Sequence, residues 1–175
     1  MLLPEVFFCL GELGRTKNGL ALPRWLPGGE AFYAFFLANE SVEGLLRMPG
    51  GGLVRAGSTL DTGTRLQTAV NAACRAFEIG GPHSQTNMHS LVRFQVSTGA
   101  QIELSELWVL VVYSECACQI ERAAQADSFR RTGRNPPGNP TKVGCPRGKH
   151  WREQCNGRAG EILWASIATG PRQRL

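Results

Sequence analysis

Two short stretches of the chain hold residue types that could do chemistry. The first is Leu60-Asp61-Thr62-Gly63-Thr64. A carboxylate on a tight Gly turn can face a cleft, held there by hydroxyl and backbone donors. Asp, Thr and Gly also favour turns on their own account, so a plain turn is the competing reading. The second stretch is Cys145-Pro-Arg-Gly-Lys-His150-Trp-Arg-Glu-Gln-Cys155. Its C-x4-H-x4-C spacing combines two thiols and an imidazole, and Trp151 follows the histidine directly. Lys149 and Arg152 flank it, and Arg130, Arg131 and Arg134 cluster upstream. Guanidinium groups pair with phosphates and stack on bases, and an exposed indole stacks on an unpaired base. That is the chemistry of contact with single-stranded nucleic acid. The bland alternative is a solvated tail with two incidental thiols.

The Asp-Thr-Gly stretch resembles the catalytic signature of retropepsin-like aspartic proteases. The resemblance covers about residues 42–115. In that family a β-hairpin precedes the motif, and GLLRM-PGGG-LVRAGSTL precedes it here. DTGTRLQTAVNAACRAFEI looks like the family's run into a short helix, and VRFQVSTGAQIELSELWVLVV looks like its later strand-turn-strand portion. The resemblance implies an endopeptidase with Asp61, Thr62 and Gly63 as its catalytic motif. Two facing carboxylates would share one proton and activate a water. With a single motif per chain, it implies a homodimer acting on a peptide substrate without a cofactor. The family's second motif, two apolar residues and then Gly, has as its counterpart here only Arg131-Thr132-Gly133-Arg134-Asn135, which lacks the apolar pair.

The Cys/His stretch resembles the last three ligands of the retroviral nucleocapsid zinc knuckle, C-x2-C-x4-H-x4-C. This implies zinc on Cys145, His150 and Cys155, with Trp151 stacking on a base. Lys142 occupies the place of the knuckle's first Cys, so a fourth ligand would have to come from Cys116 or Cys118. Both resemblances point to retroelement proteins, although there the knuckle usually precedes the protease. Pro49-Gly50-Gly51 with Arg75 and Glu78 does not make a Nudix box: the spacing is too long, and Ser58 stands where a Glu is needed.

Composition bounds these readings. The 175 residues suffice for one domain and a tail, and 42% hydrophobic content is too apolar for a wholly disordered chain. The net charge of +5 is unevenly spread. From Arg122 onward eleven Lys/Arg face three Asp/Glu, a net of +8, whereas residues 1–121 carry eight against eleven. A near-neutral domain followed by a basic arm favours anionic partners, nucleic acid first. GC-rich coding DNA would give the same Arg, Gly, Ala and Pro bias, so a frame without a selected function is a further reading. The six cysteines form no regular framework, which suggests mostly reduced thiols and an intracellular setting. The longest apolar run, Leu107 to Tyr113, is far short of the ~20 residues of a membrane span, and no membrane partner is expected.

Several elements must position these residues. AFYAFFL at 31–37 is a buried strand or short helix, and the apolar segments on either side of PGGG at 49–52 suggest a hairpin. Leu66, Ala69, Val70, Ala73 and Phe77 line one face of a helix over 64–78. Strands are expected at 91–97 and from Ile102 through LWVLVVY, and a short helix from Gln119 to Phe129. Residues 133–149 are rich in Gly and Pro and suggest a linker, and Ile162 to Ile167 suggests a docking strand. Trp25, Trp108 and Trp164 are expected in the core or at docking contacts. The expected fold is mainly β with one or two short helices (α+β), followed by a basic disordered tail. Its divisions are an irregular segment 1–30, a small domain 31–121 and the tail 122–175. The leading functional expectation is the homodimeric endopeptidase. The alternative is nucleic-acid binding through the tail, with or without zinc.

Overall fold

The computed structural model describes residues 5–37, 41–42, 45–46, 53–78, 103–133, 135–136, 139, 158–169 and 172–173. The runs AFYAFFL and LWVLVVY are apolar at both alternating positions, so each can be covered on both faces only as an interior strand. They form β4 (Ala31–Leu37) and β8 (Leu107–Tyr113), antiparallel neighbours at the centre of a four-stranded sheet. The edges are β1 (Glu5–Cys9) beside β8 and β7 (Leu53–Thr59) beside β4, giving the order β1-β8-β4-β7. Short strands β2 (Arg15–Thr16) and β3 (Gly19–Leu20) pair with each other. Strand β6 (Leu45–Leu46) pairs with β5 (Ser41–Val42) and with β9 (Arg172–Gln173).

Helices cover both faces of the sheet. On one face Leu66, Ala69, Val70 and Ala73 of α1 (Thr62–Glu78) pack against Val6, Phe8, Tyr33, Phe35, Val109 and Val111. On the other, α2 (Ala117–Thr132) and α3 (Ala159–Thr169) bury Ile120, Ala124, Trp164 and Ile167 against Phe7, Phe32, Phe36, Leu110 and Val112. Phe7 stacks on Phe36 and Trp108 at centroid distances of 5.4 and 4.8 Å, and Phe32 meets Trp164 edge-on at 5.9 Å. Offset and edge contacts of this kind suit the ring quadrupoles. The chain is an α+β fold with an antiparallel sheet between helices. Among the described residues no helix is long and apolar enough to cross a membrane.

Several expectations change in detail. Residues 5–9 are not irregular: Val6 and Phe8 face one core and Phe7 and Cys9 the other, which fits an edge strand covered on both sides. Leu53–Thr59 pairs with β4 rather than with 44–48, because AFYAFFL offers a full-length apolar partner. Leu104–Glu106 is a 3-10 turn closed by a capping box between Glu103 and Glu106, so β8 starts only at Leu107. Helix α2 runs from 117 to 132 and ends at Gly133 in the left-handed region (φ 74°), so a boundary at 121/122 would cut a helix. Ile162–Ile167 is helical, with Trp164 and Ile167 one turn apart and both buried. Trp108 and Trp164 are buried as expected, whereas Trp25 is exposed. The strand expected at 91–97, the PGGG turn and most of the linker lie outside the described residues.

Candidate functional site

Asp61 sits between β7 and α1, at the helix N-cap position. Its Oδ1 accepts the Gly63 N–H at 3.1 Å, and its Oδ2 accepts the Thr64 hydroxyl at 3.1 Å. Both oxygens thus serve donors of the first helical turn, as a capping Asp does. The Thr59 hydroxyl donates to the Asp61 carbonyl (2.8 Å) and accepts the Asp61 N–H (3.0 Å). Thr62 is buried, and its hydroxyl donates to the Pro27 carbonyl at 2.7 Å, an acceptor shared with the Tyr113 hydroxyl at 2.7 Å. Burial raises the Tyr113 pKa, and a hydrogen bond with Thr62 opposes it. Asp61 and Gly63 are exposed, as is the neighbouring Leu60.

A second polar cluster lies across the sheet edge, where β7 meets α2. The Ser58 hydroxyl donates to Glu121 Oε2 at 2.5 Å, and Gln125 Nε2 donates to Glu121 Oε1 at 3.3 Å. Glu121 keeps some exposed surface, yet its carboxyl group is desolvated. Burial pushes that carboxyl up to about 7, against the Ser58 hydrogen bond and the positive charges of Arg55 and Arg65, all of which favour the ionised form. Arg55 on β7 is only 8% exposed, and its Nε has no hydrogen-bond partner among the described residues. Beside it Asn139 closes the open strand edge: its Oδ1 accepts the Ala56 N–H (2.7 Å), and its Nδ2 donates to the Ala56 carbonyl (2.9 Å). A side-chain amide there takes the place of a fifth strand.

The third cluster joins α2 to α3. Asp127 Oδ1 meets Arg130 at 3.2 Å, and its Oδ2 meets Arg131 at 3.0 Å and Trp164 Nε1 at 3.0 Å. The Arg130 and Arg131 side chains remain 76% and 52% exposed, and Phe129 between them and Ser128 is itself 52% exposed.

Of the residues expected from sequence, Asp61, Thr62 and Gly63 lie together at the start of α1, and Arg130 and Arg131 on the last turn of α2. Arg134, Cys145, Lys149, His150, Trp151, Arg152 and Cys155 lie outside the described residues. Cys9, Cys74 and Cys116 are in the reduced thiol form, whereas Cys118 is disulfide-bonded. In that state Cys118 has no thiolate to offer zinc. Among the described residues no group of three or more His, Cys, Asp and Glu could hold a metal ion. Sequence reading missed Ser58, Glu121, Arg55 and Arg65. The only local signal was a charged Arg55 inside the otherwise apolar and small run LVRAGST. Comparison with known proteins finds no matching family model, no matching curated protein and no matching solved structure.

Proposed function

We propose that this protein binds single-stranded nucleic acid through its C-terminal part, weakly and with little sequence preference. The observation that supports it most directly is Phe129, exposed on the last turns of α2 and followed by the exposed Arg130 and Arg131. An aromatic face offers a stacking platform for any base, and two guanidinium groups beside it serve the phosphates. The chain beyond continues the theme, with a net charge of +8 from Arg122 onward and with Arg134, Lys149, Trp151 and Arg152. Asp127 offsets part of the charge of both arginines, which keeps the contact weak. Zinc on Cys145, His150 and Cys155 would add a second stacking module, but nucleic-acid contact does not depend on it. The endopeptidase reading needs Asp61 free to face a second Asp61. Here Asp61 caps α1 through a backbone N–H and a hydroxyl, the donors a protease turn would also use, so it is the exposed Phe129, Arg130 and Arg131 that lead us to favour nucleic-acid contact.

The test is fluorescence anisotropy of a labelled single-stranded oligonucleotide with the full chain across a salt series. Affinity should be micromolar or weaker and fall steeply with salt as counterions are released. Phe129→Ala should weaken it about five- to 150-fold, the range that one base-stacking contact covers. Arg130→Ala/Arg131→Ala should lower the log–log salt slope by about 1.4, at about 0.7 per phosphate contact. Salt-independent binding, or equal binding by both variants and the wild type, would overturn the proposal.

A further inference from the structure

We infer that the disulfide of Cys118 joins it to Cys145 or Cys155, so that a covalent tie fastens the basic Cys/His stretch to α2 and competes with zinc for the same thiols. The pairing stands apart from the nucleic-acid reading. The competition rests on the zinc reading as well.

The pairing follows by elimination. The chain has six cysteines, at positions 9, 74, 116, 118, 145 and 155. Cys9, Cys74 and Cys116 are in the reduced thiol form, and Cys118 is disulfide-bonded. Within one chain this leaves Cys145 and Cys155 as its partners. They follow Cys118 by 27 and 37 residues. Loop-closure entropy grows only with the logarithm of length, so it barely distinguishes the two pairings.

The position of Cys118 says what the tie does. Cys118 is the second residue of α2 and is only 2% exposed. Arg122, Ala126 and Phe129 follow it at i+4, i+8 and i+11, and all three are exposed. That spacing places them on the helix face that carries Cys118. Lys149, Trp151 and Arg152 lie within the 145–155 stretch. The tie therefore holds the chain that bears Trp151 to the helix that bears Phe129.

The same bond changes the metal chemistry. Structural zinc takes four ligands, with each cysteine bound as its thiolate. Cys145, His150 and Cys155 offer three. The disulfide removes one of these thiolates and leaves a thiol and an imidazole, too few for a closed site. The metal-free disulfide and the metal-bound dithiol are thus alternative states of one stretch. Passing from dithiol to disulfide forms one S–S bond and releases two protons and two electrons. Glutathione disulfide accepts them and leaves as two molecules of glutathione.

The experiment maps the bond in the full chain. The protein is oxidised with glutathione disulfide, its remaining thiols are alkylated, and the monomer band of a non-reducing gel is digested with trypsin and weighed by mass spectrometry. The expected product is residues 94–122, alkylated at Cys116, joined to residues 143–147 or 153–158. Dithiothreitol should separate the two peptides, and Cys116→Ser should retain the link. Alkylated Cys118 in the oxidised wild type, or a link from Cys118 to Cys9, Cys74 or Cys116, would overturn the pairing. The second arm adds cobalt to the reduced and the oxidised chain. Tetrahedral thiolate absorption is expected in the reduced chain and should be lost in the oxidised one. Equal absorption in both states would overturn the competition. A flat spectrum in both would overturn the competition together with the zinc reading, and the mapped pairing would stand.

Discussion

Replacing Glu121 by Gln should make the stability of this protein less dependent on pH. Burial raises the Glu121 carboxyl from an ordinary 4.5 to about 7 in the folded chain. Between those two values the folded state holds a proton that the unfolded state has released. The stability contribution is therefore full below about 4.5 and is lost as pH rises through about 7. At about 1.4 kcal/mol per pH unit, the wild type should lose about 3 kcal/mol through this one group. That is a large part of the total for a domain of this size. Glutamine resembles the protonated acid in shape and does not titrate, so the variant lacks this slope. Urea unfolding at a series of pH values from 4 to 8 measures it. The quantity to follow is the variant minus the wild type, which cancels other raised carboxyls such as Glu30, itself shifted by burial and by Glu115. That difference should grow by about 3 kcal/mol in favour of the variant from pH 4 to pH 8. Parallel stability curves would show that the carboxyl is solvated and ordinary, and the buried Ser58–Glu121 contact would then be wrong.

Two further outcomes follow from the geometry. Asp61→Ala removes the cap of α1 and should cost about 1 kcal/mol in urea unfolding, whereas Asp61→Asn, an equally good cap, should fold as the wild type does. Peptide cleavage at mildly acid pH that Asp61→Asn alone abolishes would restore the endopeptidase reading. Gly160→Ala places a methyl against the Gln119 backbone where α3 docks on α2, and should cost about 1–3 kcal/mol. A variant as stable as the wild type would refute that close approach.

The sequence by itself determined the pieces whose signals are local. Leu66, Ala69, Val70 and Ala73 recur at helical spacing and do line the buried face of α1. LWVLVVY is continuous in its apolar character and is an interior strand. Asp-Thr-Gly favours a turn, and its side chain does cap a helix. Other features depended on partners far along the chain. The run EVFFC alternates no more clearly than a loop could, and β8, about a hundred residues later, is what makes it a strand. Ile162 to Ile167 fits a strand as well as a helix by composition. What separates them is docking on α2, where Trp164 and Ile167 share one face. The Ser58–Glu121 pair at the sheet edge had no local signal of its own. Ser58 and Glu121 are 63 residues apart and read separately as a strand end and a helix surface. Only the packing of α2 across β7 joins them and desolvates the carboxyl, because desolvation depends on everything that surrounds a group and not on its neighbours in sequence.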